Sequence, residues 1–173
     1  FLLIGLAAGT AQGIAAMMFY LAIYVAMTLG SFICVLEMRD KDGKPLESLS
    51  SLAGLSQTRP GLAAAFAVFM FSLAGIPPLF GFWGKFLVFD AAVAAGMLPL
   101  AVIGIAASVI GAFYYIKVVK IIYFDDPANE IAVTGHKAEN ILIALLALIV
   151  SPLGYLAIPF IAPITAAAAG ALF

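Results

Sequence analysis

The sequence predicts an all-α, polytopic transmembrane helix bundle with about five complete spans and one truncated span. Three observations carry that expectation. Hydrophobic residues make up 65% of the 173 and charged residues 10%, where soluble domains hold about 45–50% and about 25%. Mean hydropathy is +1.19. The apolar residues also gather in stretches on the scale of the roughly 20 residues that a membrane-crossing helix needs. So few charges cannot clothe a water-facing surface, so the principal solvent is the lipid bilayer. Net charge −1 with eight Lys+Arg gives no basic footprint, which excludes nucleic acid as a partner. The lone Cys34 allows neither an internal disulfide nor a cysteine cluster, and the lone His136 makes no His-rich metal site.

The first element, 1–9, is too short to cross a bilayer. It has no charged n-region and no cleavage site, so it is not a signal peptide, and no Met begins it. It is taken as the end of a helix whose start lies outside the sequence, in a longer protein. GTAQG at 9–13 is a turn, with glycine at both ends. The first full span is 14–36. Residues 37–59 form an extramembrane loop with four of the eight basic and four of the nine acidic residues. Within it Leu46, Leu49, Leu52 and Leu55 recur every third residue, which predicts a short amphipathic interfacial helix over 45–57. Spans at 60–75 and 79–96 are separated by Ile76-Pro77-Pro78, where the missing amide hydrogens must end or break a helix. A span at 99–123 follows, then a second charged loop, 124–138. The last span, 141–161, is interrupted at Ser151-Pro152 and Pro159. The tail AAAAGALF is either a frayed interfacial helix or disordered. This count of spans puts Arg39, Lys41, Lys44 and Arg59 on one side and Lys117, Lys120 and Lys137 on the other. Four against three gives the positive-inside rule nothing to act on.

Charges inside spans are the informative residues, since a central Lys or Asp costs about 2.5–3.5 kcal/mol on insertion scales. Lys85 lies roughly 9 Å along the helix that follows the prolines, sharing its face with Gly81, Phe82, Val88 and Phe89. An amine at that depth that takes up and releases a proton is what a proton relay requires. The alternative is a Lys that snorkels to the interface or pairs statically with a carboxylate. Asp90, about 140° further round, reads better as a helix-end carboxylate or an interhelical partner. Tyr20, Tyr24 and Thr28 at i, i+4 and i+8, with Ser31 beyond, form a polar stripe. It either lines a hydrated path or hydrogen-bonds to a neighbouring helix. Lys117 and Lys120, with Tyr114 and Tyr123, suit an interfacial anchor, and Lys117 is also a candidate end point of a proton path. His136 is read as a solvated loop histidine. Pro77 and Pro78, with Gly81 close by, make either a tight turn between spans or a discontinuous helix whose half-helix ends face a buried charge.

At this stretch the chain resembles a known family. SLAGIPPLFGFWGKF at 72–86 is similar to the S-L-A-G-I-P-P-x-x-G-F-x-x-K-F signature of the antiporter-like membrane subunits of respiratory complex I, the proton-translocating NADH:quinone oxidoreductase. LAGL at 52–55, Arg59-Pro60 and GAFYY at 111–115 support the resemblance, whose detail is nearest the N branch. It implies a C-terminal portion holding most of the second of two inverted repeats, with Lys85 as the lysine of a half-channel. It implies that GTAQG, Pro77-Pro78 and 125–137 face the cytoplasm of a bacterium with the complex in its inner membrane. It also implies other membrane subunits as partners, including paralogous antiporter-like ones. FMN, iron–sulfur clusters and quinone would be bound by other subunits, since this sequence has no dinucleotide glycine fingerprint and no cysteine set. The first alternative is an Mrp-type sodium/proton antiporter subunit, which would keep the same motif. The second is a passive structural subunit with Lys85 locked in a salt bridge.

Overall fold

A computed structural model describes residues 1–40, 42–46, 48–127 and 137–172. His136, with most of the 124–138 loop, lies outside the described residues. The elements are α1 (Leu2–Ala7), α2 (Ala11–Leu36), a 3₁₀ turn (Leu49–Leu52), α3 (Leu55–Thr58), α4 (Pro60–Ala74), α5 (Phe80–Ala94), α6 (Leu98–Phe124), α7 (Lys137–Val150), a second 3₁₀ segment (Pro152–Ala157) and α8 (Ile158–Gly170). No strand occurs among the described residues. α2 is the central post, packed against α1, α4, α5, α7 and α8. It begins earlier than the glycines of GTAQG suggested, because the Thr10 hydroxyl accepts from the Gly13 amide and caps it.

The contacts along α2 fix how the chain crosses. Arg59 meets Glu37 just past the end of α2. Phe69 covers Gly30, Gly81 sits against Met27, and Gly84 against Ile23 and Tyr20. Finally the Gln12 amide donates to Asp90 at 3.4 Å. The order is monotonic, so α4 and α5 run antiparallel to α2 as two consecutive halves of one crossing. Each half has 15 residues, about 22 Å of helix, where the hydrocarbon core is about 30 Å thick. The expectation of two separate spans at 60–75 and 79–96 is therefore corrected to a single broken one.

That correction reverses the side of everything downstream. α6 runs back beside the pair, with Gly104 against Phe89 and Ser108 at Lys85. Its far end brings Pro127 onto Gly54 of the 37–59 loop. Arg39, Lys44, Arg59, Lys117, Lys120 and Lys137 thus share one face, while the GTAQG turn and the Gly96 turn lie on the other. The expected four-against-three division fails. So does the implied shared side for GTAQG, Pro77-Pro78 and 125–137: the first falls at one end, the second in the middle, and the described residues 125–127 and Lys137 at the opposite end.

α7 and α8 repeat the pattern. Asn140 and Ile143 lie beside Pro60 and Leu62, Tyr155 reaches Leu79, and Ala162 and Thr165 face Gln12 and Leu87. This second broken rod lies parallel to the first, and its interruption begins at Ser151-Pro152 as expected from the missing amide. The alanine-rich tail is neither frayed nor disordered up to Gly170, where α8 ends, and Ala169 is buried. The interfacial helix expected over 45–57 is also not continuous: Gly54 takes a left-handed φ of 70° between the 3₁₀ turn and α3. Leu52 and Leu55 join the core while Leu49 stays exposed, so the three-residue repeat of leucines does not trace one apolar face.

By length and composition alone, Ala11–Leu36, Leu98–Phe124 and Pro152–Gly170 are long and apolar enough to cross a membrane. α6 leaves Val102, Ile103, Val109, Ile110 and Phe113 exposed, the outer surface expected of a helix facing lipid or a neighbouring apolar protein. The single-crossing arrangement predicts a labelling pattern. In a Cys34→Ser background, Asp42→Cys and Asp126→Cys react with an impermeant maleimide from the same side of sealed vesicles, and Ala11→Cys and Leu98→Cys from the opposite side. Opposite reactivity at 42 and 126 restores two separate spans.

Candidate functional site

The helix break organises the chemistry. α4 ends in a Schellman motif, with Gly75 at φ 84° in the left-handed region. The Ile76 amide returns to the Phe71 carbonyl and the Gly75 amide to that of Ser72, at 3.1 and 3.0 Å. The next two carbonyls, of Leu73 and Ala74, would accept in a continuing helix from the amides of residues 77 and 78. Both are proline and have no amide hydrogen. The Lys85 ammonium takes their place: Nζ donates to Leu73 O at 2.8 Å and to Ala74 O at 3.2 Å. The negative end of the α4 dipole and the cation therefore meet at the middle of the bundle.

The opposing half-helix is capped in return. Gly81, near the start of α5, has an amide without an intrahelical partner. It donates to the Ser72 hydroxyl at 3.0 Å, and Ser72 is fully buried. A Cβ on Gly81 would stand 2.2 Å from the Ser72 carbonyl oxygen and 2.8 Å from Met27 Sδ, so only glycine lets the two halves approach this closely. Pro77, Pro78 and Gly81 thus shape one device whose charged member is Lys85.

Lys85 is 6% exposed. Its third donor bond goes to Ser108 Oγ on α6 at 3.1 Å, and the ring of Phe1 lies 4.7 Å from Nζ, within cation–π range. Two cavities meet at this pair of side chains. One, of about 600 Å³, is a groove between α5 and α6, apolar except for Lys85, Ser108 and Asp90. The other, of about 290 Å³, lies towards α2 and is lined by Lys85, Ser108, Tyr20, Tyr24 and Tyr115.

The structure sorts the remaining predicted residues. Tyr20 and Tyr24 stand together, ring centroids 5.9 Å apart, on the smaller cavity. Thr28 and Ser31 do not join them: their hydroxyls donate to the carbonyls of Tyr24 and Met27 in their own helix, so the stripe is not one continuous lining. Lys117 is exposed on the basic face and lines neither Lys85 cavity, while Lys120 pairs with Asp125. Asp90 has no bond to Lys85 yet shares its groove. It is exposed, held by Gln12. Ser108 was missed. Its signal was available, because it is the one polar side chain between Leu98 and Phe113. Away from the break, Arg59 and Glu37 form a buried pair at 2.9 Å, with a second Arg59 nitrogen on the Glu37 carbonyl.

Residues 1–111 match the family model for the transmembrane region of NADH:quinone oxidoreductase and Mrp antiporters. The chain belongs to that family. It is 69% identical to NADH-quinone oxidoreductase subunit N of Rhizorhabdus wittichii and 58% identical to that of Erythrobacter litoralis, in both cases over all of this chain and 36% of the relative. The chain therefore spans little more than a third of the length of these relatives. Among solved structures, it superposes on a chain of respiratory complex I from Thermus thermophilus with bound Aureothin. The TM-score is 0.76 and identity 33%, over 94% of this chain and 36% of that one. The Mrp complex from Dietzia sp. DQ12-45-1b gives a TM-score of 0.79 at 24% identity, over 97% and 39%, and shows likeness of fold. The resemblance read from residues 72–86 is thus shown, as is a polytopic helical membrane fold.

The reciprocal caps predict separable stability losses. Ser72→Ala removes one buried acceptor and costs about 1 kcal/mol. Gly81→Ala forces backbone apart and costs about 1–3 kcal/mol. Both are measured by thermal unfolding of the detergent-solubilised protein; a neutral Gly81→Ala would mean the half-helices are not in close contact.

Proposed function

We propose that this chain is part of a proton-translocating membrane subunit of NADH:quinone oxidoreductase, respiratory complex I, and that Lys85 carries the transferred proton. The subunit N relatives support the complex. The observation that carries the proton role is the position of Lys85, a buried ammonium standing between two cavities and fixed by groups at the junction of a broken helix. Among the described residues, the amine is held by two neutral carbonyls and a hydroxyl rather than by a carboxylate. A static ion pair is the requirement of the passive structural reading, so this set of partners favours a titrating lysine. Likeness to the Mrp complex is one of fold and gives no separate support to an antiporter.

In this reading NADH oxidation and quinone reduction occur in other subunits, which hold FMN, the iron–sulfur clusters and the quinone. The partners of the chain are the other membrane subunits, paralogous antiporter-like ones included. The face with Arg39, Lys44, Arg59, Lys117, Lys120 and Lys137 is cytoplasmic by the positive-inside rule, in a bacterial inner membrane. Shifts of charge in neighbouring subunits drive Lys85 between its two protonation states.

The test uses the assembled complex in sealed vesicles with Lys85→Met, which keeps length and removes charge. NADH-driven proton uptake and quinone-linked turnover are expected to fall at least about tenfold, while NADH oxidation with an artificial acceptor persists. Undiminished proton uptake by the fully assembled variant makes Lys85 structural.

A further inference from the structure

Lys85 is anchored by three partners, and only one of them can reverse its polarity. An ammonium has three N–H donors, and here they go to Leu73 O, Ala74 O and Ser108 Oγ. After loss of a proton the amine has two donors and a free electron pair. The carbonyls can only accept, so they suit the two remaining N–H groups in either state. A hydroxyl both accepts and donates. Ser108 is therefore the partner able to accept from the ammonium in one state and donate to the neutral amine in the other, without disturbing the caps on α4.

Position supports the same role. Ser108 and Lys85 are the residues with polar side chains common to both cavities. Ser108 is half-buried in α6, on a helix distinct from both halves of the break. Water has polar side-chain partners in both cavities only where these two side chains stand, joined by Asp90 in the larger and by Tyr20, Tyr24 and Tyr115 in the smaller. Carbonyl groups of an amide are poor proton carriers, whereas a hydroxyl passes a proton on by receiving one and releasing its own.

We propose that Ser108 is the proton-relay residue through which Lys85 exchanges its proton with water in the flanking cavities. This rests on Lys85 being the proton carrier. In the outward step an Nζ–H bond breaks as an Oγ–H bond forms on Ser108. The original hydroxyl proton passes to a cavity water, which leaves as hydronium. The hydroxyl, now donating to the free pair of Nζ, holds the neutral amine beside the Leu73 and Ala74 carbonyls. A hydronium from the other cavity reverses the sequence and reloads the lysine. No oxidant or further reactant is needed.

The experiment uses the complex with the full-length subunit in sealed vesicles, normalised by NADH oxidation with an artificial acceptor. Ser108→Ala is expected to slow NADH-driven proton uptake at least about tenfold and to enlarge its solvent deuterium isotope effect, while Ser108→Thr, which keeps the hydroxyl, stays within about twofold of the parent. Ser108→Gly is run alongside, and the same thresholds apply to whichever variant assembles; if neither assembles, Ser108 is structural and the relay falls. Proton uptake by Ser108→Ala within about twofold of the parent, with Lys85→Met inactive, overturns the relay and leaves the Lys85 reading intact. Normal uptake by Lys85→Met overturns both.

Discussion

The Lys85 ammonium on the two carbonyls released by Pro77 and Pro78 is the interaction on which the rest of this structure depends. In a bilayer a freed backbone carbonyl has no water to turn to, and leaving it unpaired costs about 1–3 kcal/mol. A lone ammonium at that depth costs about 2.5–3.5 kcal/mol to insert. Each defect would be unfavourable by itself. Together they offset each other, since the cation supplies the missing donors and the helix terminus supplies partial negative charge. Ser72 and Gly81 complete the junction by answering the opposite need, a free amide at the start of α5.

The same junction determines the topology. Because the two half-helices cap one another end to end, the chain passes the prolines without turning round, and α4 and α5 count as one crossing. Every later element keeps the side this dictates. The six described basic residues outside the break then gather on one face, a distribution that insertion machinery can read. A break and a turn differ locally by little more than the presence of a buried partner for the stranded backbone, but they differ globally by the side on which half of the protein emerges.

Much of this was legible in the sequence. Apolar length located α2, α4, α5 and α6 to within a few residues, and the rarity of intramembrane charge drew attention to Lys85 beside the two prolines. Parity was not legible, because Gly75-Ile76-Pro77-Pro78 satisfies the local rules for a turn as well as those for a break. Deciding between them needs the contacts of Met27 with Gly81 and of Gln12 with Asp90, which join residues far apart in the chain. The leucine repeat misled for a related reason: periodicity assumes one continuous helix, and Gly54 at positive φ interrupts it beneath Pro127. Thr28 and Ser31 misled because hydroxyls on a helix can bond to their own preceding turn, which spacing alone does not reveal. Ser108 left only compositional notice, a single hydroxyl in an apolar run, and its importance comes entirely from what stands opposite.

A second break meets the first. Tyr155 directs its hydroxyl to the Leu79 carbonyl at 3.5 Å and its ring to that of Phe80, centroids 5.6 Å apart. Gly154 lies so close to Phe80 that a Cβ there would fall 2.6 Å from the ring. Two interrupted rods side by side, broken at the same level, leave no uninterrupted helix of their own across the middle of this layer; among the described residues α2 and α6 run through it without interruption. These continuous helices wall the cavities, with α2 contributing Tyr20 and Tyr24 to one and α6 contributing Ser108 to both. Between them the α4–α5 rod carries Lys85, anchored on the two carbonyls of its own break. Continuous and broken backbone are thereby separated into different rods, and the lysine that fills the break in one reaches a continuous neighbour through Ser108.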